Sequence, residues 1–164
     1  MARDTNLYLV GSATAGTAVS ANGNSTAINV PGGEFAVVWV YSSVTPTDSD
    51  ETIDILVKAS CDGTNYGTIG GFPQLVKAAN KGNAGTWVAI PVYIPRAEAN
   101  PAARGTNTQT KVRLNYVVGG TTPSFTLQAA IEPLSNVPRG SVAGFSSSQA
   151  GRYGPYDNLQ YFCT

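Results

Sequence analysis

Seven successive positions in the run Glu34-Phe35-Ala36-Val37-Val38-Trp39-Val40-Tyr41-Ser42 carry an apolar or aromatic side chain. Successive side chains of a strand point to opposite faces. Phe35, Val37, Trp39 and Tyr41 therefore share one side of such a strand, and Ala36, Val38 and Val40 share the other. A strand apolar on both sides belongs inside a sheet, covered above and below. Trp39, one of two tryptophans, is expected near the centre of the core. Pro31-Gly32-Gly33 reads as the turn leading into this strand, because Pro supplies no ladder donor and Gly tolerates positive φ.

The rest of the chain supplies neighbours for it. Thr52 to Ala59 alternates: Ile53, Ile55, Val57 and Ala59 point one way, and Thr52, Asp54 and Lys58 the other, broken only by Leu56. Lys111 to Val118 turns Val112, Leu114, Tyr116 and Val118 inward. Ser124 to Glu132 puts Phe125, Leu127, Ala129 and Ile131 on one face. The turn signal Gly119-Gly120-Thr121-Thr122-Pro123 between these two predicts a hairpin. Thr86 to Ile94 aligns Val88, Ile90, Val92 and Ile94, and its Pro91 predicts an edge strand or a bulge. Asn6 to Val10, Ser25 to Val30 and pieces within Gly67 to Lys77 complete about eight strands. Gly11 to Gly23 reads as a loop, as does the long polar stretch from Pro95 to Thr110. No segment keeps a helical period. The pattern predicts an all-β fold, a two-sheet antiparallel β-sandwich that is most simply jelly-roll-like, over residues 1–132. An immunoglobulin-like sandwich is the smaller alternative.

Residues 133–164 differ in kind. Alternation stops, and Gly, Ser, Pro and Tyr dominate, yet Tyr153, Tyr156, Leu159, Tyr161 and Phe162 crowd the end. A disordered tail is normally poor in aromatics. The segment is read as an extended C-terminal arm that orders on a partner surface, with packing on its own domain or plain disorder as the other readings. It can reach over about 60 Å even short of full extension.

Composition narrows the function. Ten Lys and Arg balance ten Asp and Glu, so no net field recruits nucleic acid or an anionic membrane. Charged residues are 12% of the chain, and a charge-poor neutral surface favours association. Histidine is absent, which removes Ser-His-Asp and Cys-His catalysis and the commonest zinc ligand. Cys61 and Cys163 belong to no C-x-x-C motif. Two free thiols are expected in a protein made in the cytoplasm; the alternative is a Cys61–Cys163 bridge pinning the tail. No signal pattern and no apolar run of membrane-spanning length is present, so a soluble, unexported protein is expected.

Candidate sites read mostly as structure. Asp48, Asp50 and Glu51 cluster without a calcium-loop pattern and read as a solvated acidic loop. Asp62-Gly63 is first a turn former. Of the carboxylates a glycosidase would need, Asp54 and Glu132 fall on outward strand faces, and Glu98 lies in the long loop. Tyr66 and Trp87 could form an aromatic platform for sugar, but packing outweighs that reading. No catalytic, metal or cofactor site is expected.

Two stretches carry a family resemblance. They are Ile53-Asp54-Ile55-Leu56-Val57-Lys58-Ala59-Ser60-Cys61-Asp62-Gly63-Thr64-Asn65-Tyr66 and Val112-Arg113-Leu114-Asn115-Tyr116-Val117-Val118-Gly119-Gly120-Thr121-Thr122-Pro123-Ser124-Phe125-Thr126-Leu127. A strand followed by S-x-D-G-x-x-aromatic, and later V-R-x-x-Y with G-x-x-P-S-F, resembles the decoration (cement) proteins of tailed-bacteriophage capsids over roughly residues 34 to 132. The resemblance implies a non-catalytic jelly-roll homotrimer on the outer surface of the virion. It implies seating on the major capsid protein and bridging of neighbouring capsomers against internal pressure. The aromatic arm is the expected contact. The alternative function is a carbohydrate- or cell-surface-binding β-sandwich module of a phage fibre.

Overall fold

A computed structural model describes residues 7–45, 49–78, 84–96 and 109–134. The strands are β1 (Tyr8–Val10), β2 (Thr17–Val19), β3 (Gly23–Asn24), β4 (Ile28–Val30), β5 (Glu34–Ser42), β6 (Thr52–Ser60), β7 (Gly67–Gly71), β8 (Leu75–Val76), β9 (Trp87–Ile94), β10 (Thr110–Gly119) and β11 (Phe125–Pro133). They form two antiparallel sheets. One runs β1-β11-β5-β9, with β2 also on β11. The other runs β3-β10-β6-β7, with β4 also on β10 and β8 on β6.

Three pairs of short strands are interrupted single strands. β3 and β4 both pair with β10, and Ser25 between them carries the ladder across the break. Its N–H donates to Leu114 O at 2.9 Å, and its Oγ accepts from Leu114 N at 2.9 Å. Joining β1 with β2, β3 with β4, and β7 with β8 leaves eight strands in two four-stranded sheets. Their orders are first-eighth-third-sixth and second-seventh-fourth-fifth. That is the jelly-roll arrangement, so the expected fold holds.

The core lies between the sheets. Ile53, Ile55 and Val57 of β6 and Leu114 of β10 meet Val38 and Val40 of β5 and Leu127 and Ile131 of β11, all but Ile131 at 0% exposure. The inward faces read from alternation in β6, β9, β10 and β11 are the ones observed. Pro91 sits on β9, an edge of its sheet, where no ladder donor is missed.

Three expectations are corrected. Trp39 is not central: β5 turns Ala36, Val38 and Val40 to the core and Trp39 to the opposite, outer face. The hairpin predicted from Lys111 to Glu132 does not form. β10 pairs with β6 in one sheet and β11 with β5 in the other, and the glycine turn carries the chain between sheets. The loop read from Gly11 to Gly23 contains β2 and begins β3. Its small polar residues give no alternation, and the pairing comes from the partners β11 and β10.

Candidate functional site on the outer face of the five-stranded sheet

Four β5 side chains define this face, and the ladder places their neighbours. Phe35 lies opposite Tyr93. Val37 lies between Pro91 and Glu132, Trp39 between Ala89 and Ala130, and Tyr41 between Trp87 and Gln128. Tyr8 of β1 stands opposite Ala130 from the other side. The alanines beside Trp39 leave room for its indole. The result is an aromatic band about 20 Å long at the rise of an extended strand.

The rings pack against each other as well as against the sheet. Phe35 and Tyr93 meet edge to face, with centroids 5.3 Å apart and planes at 64°. Tyr41 and Trp87 are tilted at 45°, with centroids 5.7 Å apart. Such edge and tilted geometries follow from the ring quadrupoles and contribute about 0.5–1.5 kcal/mol per pair. Val37 and Ala130 are 0% exposed although they lie outside the inter-sheet core, because this layer covers them. The rings of Phe35, Trp39, Tyr41 and Tyr93 stay half-buried, and Trp87 is 39% exposed. The sandwich thus carries a second apolar layer with solvent on one side.

The sequence held a signal for this face. Phe35, Trp39 and Tyr41 share one parity in β5, and Trp87 and Tyr93 stand opposite the Val and Ile face of β9. What it could not supply was the β5–β9 pairing that joins the two sets. The proposed Tyr66–Trp87 platform does not form, because the two residues belong to different faces. Trp87 is on β9, whereas Tyr66 packs over Arg113 of β10 in the other sheet, 3.7 Å from ring centroid to guanidinium carbon.

The candidate carboxylates are also separated. Asp54 is on β6 and Glu132 on β11, in opposite sheets, so they flank no common cleft. Asp54 accepts from Gln74 Nε2 at 3.1 Å. Glu132 is buried at 8% exposure, not solvated. Glu98, Asp48 and the arm residues Tyr153, Tyr156, Leu159, Tyr161 and Phe162 lie outside the described residues. Glu51 is buried rather than part of a solvated loop, and its carboxylate pairs with Lys77 Nζ at 2.9 Å. Asp50 accepts from Thr121 Oγ1 at 2.8 Å. That bond, with the Thr121 N–H, lowers its pKa. Among the described residues no three of Cys, Asp and Glu are grouped as a metal site requires.

Asp62 is committed to its own turn. Its Oδ1 accepts from Thr64 N at 2.7 Å, Asn65 N at 2.8 Å and Ser60 Oγ at 2.8 Å, and its Oδ2 from Asn65 Nδ2 at 2.7 Å. The backbone donors Thr64 and Asn65 hold the carboxyl well below the usual carboxylate range. Cys61, beside it, is disulfide-bonded, which overturns the expectation of a free thiol. The other cysteine of the chain, Cys163, lies outside the described residues.

No protein-family model matches the sequence, and no curated protein matches it. Among solved structures, the chain is similar to an N-terminal endo-1,4-β-D-xylanase 10B fragment of Clostridium thermocellum, CBM22-1 and GH10 modules complexed with xylohexaose. The identity is 14% and the TM-score 0.39. The match covers 84% of this chain and 28% of that one.

Proposed function

We propose that the protein is a structural virion protein, a capsid decoration protein of a tailed bacteriophage. It works by docking rather than catalysis, and the aromatic face of the five-stranded sheet is its seat on the major capsid protein. The single observation that carries this reading is that face: a continuous, half-buried aromatic layer on a chain poor in charge. Large apolar patches on soluble domains mark interaction surfaces. Tyr and Trp are the side chains that dominate protein interface energy. The virion assignment itself rests on the sequence resemblance.

The ring geometry favours a protein partner over a glycan. A sugar chain stacks best on successive rings presented flat, and planes at 64° and 45° do not provide that. One observation keeps the glycan reading as second: Trp87 is 39% exposed beside Tyr41 and could take a single sugar ring. The test is mass spectrometry of purified virions of the phage that encodes the chain, together with a glycan array probed with the purified protein. Stoichiometric presence in the particle and no glycan binding are expected. Absence from the particle with saturable glycan binding would replace this reading with the second.

A further inference from the structure

The outer face of the other sheet carries a feature that the aromatic face does not explain. Cross-strand pairing sets Arg113 of β10 directly opposite Lys58 of β6. Lys111, two residues along β10, points to the same face opposite Ser60. Like charges directly opposite each other destabilise a sheet. Three of the ten basic residues of a charge-poor chain are nonetheless held together here. Among the described residues no carboxylate lies within ion-pair distance of Lys58, Lys111 or Arg113. Asp62, whose turn Lys111 overlies at Gly63, spends both oxygens on Ser60, Thr64 and Asn65. Gly63, at φ 78°, keeps the approach open: a Cβ there would stand 3.0 Å from Lys111 Nζ.

We propose that this cationic face is a docking surface for a carboxylate-rich protein segment. Tyr66 fixes the plane of the Arg113 guanidinium, so its fork is pre-organised for a carboxylate before any partner arrives. Lys58 and Lys111 flank it as point charges. On the same face Leu56 and Val117, at 38% and 46% exposure, offer apolar contact beside the charges. Three cations on a neutral chain, with Asp54 on the same two strands, suit a few carboxylates better than the repeated phosphates of a nucleic acid. The proposal is independent of what the aromatic face binds.

Poly-L-glutamate is the probe, titrated against the full chain at low and at high salt. Saturable binding that weakens with salt is expected. Lys58→Gln and the double variant Lys58→Gln/Arg113→Gln should weaken it, the double by at least about tenfold. Lys58→Gln relieves like-charge repulsion, so its thermal unfolding should be unchanged or higher; it alone carries the test if the double variant, which also loses the Arg113 stack on Tyr66, misfolds. No binding at low salt would overturn the proposal, as would equal affinity in these variants. Tighter binding of a single-stranded oligonucleotide than of poly-L-glutamate would also overturn it, in favour of a phosphate site.

Discussion

At the residue scale, an exposed carboxylate held by its own turn and a buried ion pair each give a test. Asp62 gathers four hydrogen bonds in the turn after β6. Its depressed pKa stabilises the fold above the ordinary carboxylate range, near pH 4, and that contribution is lost as pH falls toward its folded value. Solvent exposure limits the effect, so Asp62→Asn should cost about 1 kcal/mol at pH 6. Denaturant titrations from pH 6 to below 3 should show the gap to wild type narrowing as pH drops. A constant gap would assign the loss to packing rather than charge. Lys77 and Glu51 form a buried pair, at 8% and 5% exposure. Lys77→Met leaves a buried carboxylate behind and should cost about 3–5 kcal/mol. Lys77→Met with Glu51→Leu should recover most of that in the same unfolding assay.

At the element scale, serine hydroxyls complete ladders that the backbone alone leaves broken. Ser25 does so between β3 and β4, and Ser43 extends β5 onto β11: its N–H donates to Thr126 O at 3.0 Å and its Oγ accepts from Thr126 N at 2.9 Å. Ser25→Ala should cost about 1–3 kcal/mol, because the N–H of fully buried Leu114 loses its acceptor. Amide hydrogen exchange at Leu114 should accelerate; unchanged protection there would contradict this. The same residues explain what sequence pattern could and could not reveal. Period-2 alternation in β6, β10 and β11 exposed their inward faces directly. Ser25 sits in a stretch of Gly, Ser, Asn and Thr with no apolar signal, so β3 was invisible without β10. The turn from Gly119 to Pro123 carries the residues of a hairpin, yet the chain uses it to cross between sheets. Turn chemistry reports a reversal and not which sheet the next strand joins. For Trp39, both faces of β5 are apolar, so periodicity could not choose which one met the core.

At the scale of the whole molecule, the sandwich keeps two chemically different outer faces on opposite sides. One is aromatic and half-buried, built on Trp39, Tyr41, Trp87, Phe35 and Tyr93; the other is cationic, built on Lys58, Lys111 and Arg113. A protein proposed to bridge neighbours needs two such surfaces. The disulfide at Cys61 also acts at this scale. Reduction should lower stability by about 2–4 kcal/mol. Thermal unfolding with and without reductant checks this, and identical midpoints would mean that the bond constrains little. The most direct test of the central claim is sedimentation of the purified chain with capsids of the phage proposed to encode it, comparing wild type with Trp87→Asp. Trp87 is exposed enough for the variant to fold. Saturable binding of wild type, lost in a folded Trp87→Asp protein, is the predicted result. Failure of the wild type to sediment with the capsids, or equal binding by the variant, would contradict the account.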